Sequence, residues 1–136
     1  MTELKLEEQA QGEWRNLAPG LVRQRVVIEC TTDEPVGAEL MRSYLIELAK
    51  IVEMTPLAEP FVYPAHCSVP EASGWGAWQH WATSGVQAYS YIGLSPPLFT
   101  VDAYTCKPFS VKNAVEFTRN HLQAKEIVWM EVNQNE

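Results

Sequence analysis

The sequence predicts an α+β fold: a two-layer sandwich with a mostly antiparallel sheet and two helices on one face. Three observations predict it. Several short segments alternate apolar and polar residues with period two, as half-buried strands do. Two longer segments carry apolar residues at helical spacing behind a capping residue. In chain order these read β-α-β-β-β-β-α-β, with the middle strands following one another across short turns, an order that layers helices on a sheet.

Residues 1–20 are polar, contain Gly12, Pro19 and Gly20 and show no sustained period. They read as a loose arm with room for one helical turn, tacked down by Trp14, and residues 21–136 as a single α+β domain. In LVRQRVVIEC, residues 21–30, Val22, Val26 and Ile28 share one face and Arg23, Arg25 and Glu29 the other, which is a half-buried strand. Thr32 and Asp33 are candidate helix caps, with Pro35 in the first turn. Val36, Leu40, Tyr44, Leu48 and Val52 then mark a helix over roughly residues 35–53, which Pro56 stops. FVY at 61–63 supplies a short strand before the proline-bounded segment PAHCSVP.

GAWQHWA and VQAYSYI read as the next two strands, joined by Thr83, Ser84 and Gly85 with Ser84-Gly85 as the hairpin turn. LSPP then turns the chain into LFTVDAYTC. Ser110 caps SVKNAVEFTRNHLQAK, whose Val111, Ala114, Val115, Thr118 and Leu122 point inward, and EIVWMEV is the last strand.

Composition narrows the function classes. A chain of 136 residues with 46% hydrophobic and 20% charged residues can bury a core without metals or disulfides. A net charge of -7 and a pI near 4.9 argue against a nucleic-acid partner, which would need clustered Lys and Arg. No apolar run reaches the roughly 18 residues of a membrane span, and the start MTELKLEEQAQ is acidic, so a cytoplasmic protein is expected. Cys30, Cys67 and Cys106 are odd in number and lack CxxC spacing, which predicts free thiols. His66 and Cys67 with His80 or Cys106 match no standard ligand spacing, so no metal is expected.

The strands are rich in aromatic residues. Trp75, Trp78, Trp81, Tyr89, Tyr91 and Tyr104 are many for a solvated face and predict a covered one. Such a wall stacks a purine or a sulfonium, or packs as the interface of a homodimer. Trp75, Trp78 and Trp81 recur every three residues, as a helical stripe or as two faces of a strand, and Gly74 and Gly76 weigh against the helix. The carboxylates Glu29, Asp33, Glu34 and Asp102 suit a cationic ligand or simple solvation.

VDAYTC, residues 101–106, together with Ser84, the helix and strand that follow, and the opening RVVIECTT, resembles the small prokaryotic S-adenosylmethionine decarboxylases. In order of elements the resemblance spans residues 22–132 and is poor over 54–83. It implies a pyruvoyl-dependent enzyme of polyamine synthesis whose chain cleaves itself before a serine, which becomes a pyruvoyl group. That group forms a Schiff base with the substrate amine and accepts the electrons released with CO2. By this resemblance Ser84 is the pyruvoyl precursor, Cys106 the thiol that reprotonates the product carbon, and Tyr89 occupies the place of the processing histidine. Trp75, Trp78, Trp81, Tyr91 and Tyr104 would line the site for a small S-adenosylmethionine-like molecule.

This chain has Thr83, Gly85 and Tyr89 where the family has glutamate and two histidines. Removal of an α-proton suits an imidazole near pKa 6.5 better than a phenol near 10. The alternative is an uncleaved homologue that binds such a ligand or a partner subunit, or that does different chemistry on it with Tyr89, Tyr91 or Cys106 as acid or base.

Overall fold

The computed structural model describes residues 12–132, so residues 1–11 of the predicted arm and the last four residues lie outside the described part. The alternating segments form strands β1 (Gln24–Thr31), β2 (Phe61–Ala65), β3 (Gly74–Trp81), β4 (Ser84–Tyr91), β5 (Leu98–Thr105) and β6 (Glu126–Val132). Helix α1 spans Ala38–Ile51 and α2 spans Val111–Leu122, which reproduces the predicted order of elements. All six strands join one sheet in the order β2-β3-β4-β5-β1-β6, and every neighbouring pair is antiparallel. The sheet is α+β in class, with α1 against β2 and β3 and α2 against β1 and β6 on the same face. Among the described residues no helix is long and apolar enough to cross a membrane.

Several boundaries differ from the sequence reading. Trp14 is 60% exposed, and residues 12–16 hold no helical turn. The first helix starts later than Pro35, behind Gly37, and Thr32 does not cap it because its hydroxyl donates to the Glu34 carbonyl at 2.6 Å. Its inward face turns toward Met41 and Leu45, which are buried with Tyr44 and Leu48. Ser110 does cap α2, accepting from the Asn113 N–H at 3.1 Å, and Gln123 closes it in the left-handed conformation. The short strand at 61–63 continues through Pro64, which an edge strand tolerates because, among the described residues, one side of its backbone has no strand partner.

Between helices and sheet lie Val26, Ile28 and Cys30 of β1, Ala77 and Trp81 of β3, Val86 and Ala88 of β4, and Phe99, Val101 and Ala103 of β5. Tyr44 ties the two helices together beneath them. Thr118 has one hydroxyl hydrogen and gives it to the Ala114 carbonyl at 2.8 Å, so the fully buried Tyr44 donates to Thr118 Oγ1 at 2.7 Å. The Tyr44 ring meets Phe99 edge-on at 5.2 Å and stacks on Phe117 at 5.5 Å. The same burial raises the Tyr44 phenol well above its usual range.

Cys30 is 2% exposed on the inward face of β1, and burial pushes its thiol up to about 11. The folded chain therefore holds a proton that the unfolded chain releases near pH 9. That stability is complete below pH ~9 and is lost as pH rises through ~11, by up to about 3 kcal/mol. Urea titrations from pH 8 to 11 should show a shallower decline for Cys30→Ala than for the wild type; parallel declines would mean that Cys30 does not ionise on unfolding.

Candidate functional site

The β3–β4 hairpin reverses within two residues. Trp81 pairs with Ser84 and His80 with Gly85, so the turn is Ala82-Thr83, and Ser84-Gly85 opens β4 instead of forming the turn. Thr83 itself supplies the positive φ of 51° that the reversal needs, which removes the demand for a glycine. A β-branched residue seldom adopts that conformation, and it persists only where neighbouring contacts hold it. Those contacts come from the chain after α1. The Ala82 N–H donates to the Thr55 carbonyl at 3.0 Å, and the Leu57 N–H to the His80 carbonyl at 3.0 Å. Beneath the turn Trp81 is fully buried, its indole N–H donates to Gln79 Oε1 at 3.0 Å, and Gln79 Nε2 donates to the Ala58 carbonyl at 2.9 Å.

Cys106 follows β5 directly and meets this turn. Its position is set by two devices. Thr105 Oγ1 donates to the Lys107 carbonyl at 2.6 Å, and the Gln24 amide grips both backbone groups of Phe109, at 2.9 and 3.1 Å. The Cys106 N–H then donates to Ser84 Oγ at 2.9 Å, while Cys106 Sγ lies 3.1 Å from Thr83 Oγ1 and 3.7 Å from the Ala82 carbonyl. Hydrogen bonding to Ser84, and next to Thr83, lowers the Cys106 thiol below its ordinary pKa. In the thiol form the Thr83 hydroxyl donates to the Ala82 carbonyl at 2.8 Å and accepts from Sγ–H; in the thiolate form that hydroxyl turns and donates to sulfur.

Among the described residues no helix covers the other face of the sheet. A cavity of about 580 Å³ lies on it, bordered by Arg25, His80, Ser84, Gln87, Asp102 and Tyr104. The Arg25 guanidinium sits 4.6 Å from the centre of the Tyr104 ring. His80 stands opposite Gly85, where a Cβ would come within 3.3 Å of the imidazole, so the glycine makes a notch under that ring. A second cavity of about 400 Å³ wraps the hairpin end between Leu57, His80, Thr83, Ser84 and Tyr104.

The structure brings Ser84 and Cys106 together and keeps Tyr89 away from them. Tyr89 lies five residues along β4, about 17 Å at the rise of a strand, and shares the open face with Thr100 and Gly76. The predicted aromatic wall divides because a spacing of three flips sides on a strand. Trp81 is fully buried in the core and Trp75 packs against that core, so neither stands on the open face. Trp78 does, 40% exposed, stacked on Phe61 at 5.6 Å and beside His80 at 4.9 Å. Tyr89, Tyr91 and Tyr104 share its side of the sheet. Sequence reasoning gave no role to Thr83, Arg25 or Phe61 in this site, although the match of hairpin length to register would have pointed to Thr83. Among the described residues no three His, Cys, Asp or Glu side chains gather as a metal site.

The crystal structure of the adenosylmethionine decarboxylase from Aquifex aeolicus VF5 has a similar fold. The TM-score is 0.64 at 17% sequence identity, over 85% of this chain and 92% of that one. No family model and no curated protein matches the sequence. The likeness is one of fold.

Thiolate is the species that alkylates, so Cys106 should react with iodoacetamide at lower pH than an ordinary thiol near 8.5. Residue-resolved mass spectrometry would follow it. Thr83→Val should move the profile to higher pH and Thr83→Ser should leave it in place; identical profiles for all three would show that the Thr83 hydroxyl does not hold the sulfur.

Proposed function

We propose that this chain is an S-adenosylmethionine decarboxylase-like enzyme, serving polyamine synthesis, in which Ser84 becomes a pyruvoyl group after the Thr83–Ser84 bond is cut. One observation carries the reading: Ser84 and Cys106, 22 residues apart, meet through a 2.9 Å hydrogen bond at the turn end of the β3–β4 hairpin. The fold shared with a protein of that activity supports it. A pyruvoyl group supplies a carbonyl that accepts the electrons released with CO2.

The residues around Ser84 fit such a group. The bond to be cut lies in an exposed turn whose first carbonyl belongs to a residue in a sparsely populated conformation. Cys106 supplies a thiol able to give a proton to a carbon held beside Ser84. On the open face, Asp102 and the Tyr104 ring border the cavity and suit a cationic sulfonium, and Arg25 suits a carboxylate. Phe61, Trp78 and Tyr89 on β2 to β4, with Val128, Met130 and Val132 on β6, extend as exposed apolar side chains over the same side of the sheet and support a homodimer packed through it. Tyr89 serves that interface and not the cleavage of its own chain.

A second reading has its own observation: among the described residues no imidazole or carboxylate hydrogen-bonds Ser84. It is an uncleaved homologue that binds the same class of ligand. The intact mass of the purified chain separates the two. Fragments 1–83 and 84–136, the second with a ketone in place of its amino terminus, are expected from the wild type, and one whole chain from Ser84→Ala. A wild type that stays whole and binds S-adenosylmethionine would favour the second reading. Sedimentation should give a dimer, and Trp78→Glu should raise its dissociation constant by at least about 100-fold, the loss typical of a buried aromatic anchor. An unchanged constant would remove the open face from the interface.

A further inference from the structure

We propose that Cys106 is the base that completes self-cleavage at Ser84, doing the work of the imidazole that is absent at position 89, with Thr83 as the positioning residue that holds its sulfur. This rests on the pyruvoyl reading above. The self-cleavage chemistry needs a group beside Ser84 that can take its α-proton once the ester has formed. Tyr89 is too far along β4 to do so within its own chain. His80 borders the same cavity as Ser84, but its imidazole packs over Gly85 and against Trp78, and among the described residues no hydrogen bond joins it to Ser84 or Thr83.

Cys106 differs from both. Among the described residues it is the titratable group hydrogen-bonded to each side of the bond to be cut, to Thr83 through sulfur and to Ser84 through its N–H. The loop that carries it is pinned by the Gln24 grip on Phe109, so the thiol does not have to be recruited from a mobile segment. Its lowered pKa leaves more thiolate near neutrality than an ordinary cysteine has. The Thr83 hydroxyl, already in contact with sulfur, can turn to donate to that thiolate and release it when the proton arrives.

The steps balance without an oxidant. Ser84 Oγ adds to the Thr83 carbonyl carbon, the C–N bond breaks, and the hydroxyl proton ends on the freed Ser84 amine, leaving an ester. The Cys106 thiolate removes the Ser84 α-proton, the electron pair becomes a Cα–Cβ double bond, and the Cβ–O bond breaks to release Thr83 as a carboxylate. The unsaturated amine takes a proton at Cβ, water adds at Cα, and ammonia leaves, giving the ketone. Removing the base should arrest the chain at the ester.

The experiment compares the wild type with Cys106→Ala and with Cys106→Ser, which keeps the size and hydrogen bonding of the side chain; circular dichroism shows that each folds. Intact mass is read with and without neutral hydroxylamine, which cleaves esters but leaves peptide bonds whole. The wild type should yield fragments 1–83 and 84–136. Both variants should stay whole, with fragments formed at least about 100-fold more slowly, yet hydroxylamine should split them between Thr83 and Ser84 and leave an ordinary serine amino terminus. Variants that fragment at the wild-type rate, or that stay whole and resist hydroxylamine, overturn the role of Cys106 as elimination base while the fragmented wild type still supports the pyruvoyl reading. A wild type that stays whole overturns that reading itself, and this inference with it.

Discussion

The buried indole of Trp81 is the anchor on which the site depends. A fully buried tryptophan removes a large apolar area from water, and truncating one in a core typically costs about 3–5 kcal/mol. Its N–H is the one group that must also find a partner, and Gln79 supplies it while passing a second hydrogen bond to the Ala58 carbonyl. This short relay joins the end of β3 to the segment that follows α1. With the indole seated, Ala82 and Thr83 have no freedom to drift, and the unusual backbone of Thr83 is held from below.

A second fixed point meets the first. Gln24, at the start of β1, reaches across to both backbone groups of Phe109, and so the connection between β5 and α2 cannot relax away from the hairpin. Cys106 lies between these two anchors. Each is remote in sequence from the other, yet together they set Ser84, Thr83 and the thiol within hydrogen-bonding distance. The site is thus built from side chain to backbone bonds, which define positions more narrowly than apolar packing does.

The two faces of the sheet divide structural and chemical work. The inward face is closed by the helices and holds Cys30 and Tyr44 protonated through burial. Outward, Arg25, His80, Gln87 and Asp102 stand around a cavity beside rings that remain partly exposed. Polar and charged groups at that density belong against water, a polar ligand or a complementary surface and could not be placed under a helix without large desolvation costs.

Much of the fold was legible in the sequence because alternation and helical spacing are local properties. The strand ending EIVWMEV, the cap at Ser110 and the order of all eight elements follow from them. The start of α1 was less legible, since Thr32 and Pro35 carry helix signals that the Glu34 carbonyl and Gly37 override. In the site, the nearness of Ser84 and Cys106 could be anticipated from a resemblance of motifs. Whether the hairpin turned at Ser84-Gly85 or two residues earlier could not, because local turn preference favours the glycine and cross-strand register decided for Thr83. The sequence by itself determined the α+β layering and which segments are strands, since periodicity is written into consecutive residues. Only the tertiary structure decided that Trp81 is an anchor, that Trp78 is open and that Thr83 touches the thiol. Those outcomes depend on register and on contacts between segments distant in the chain, which no local pattern encodes.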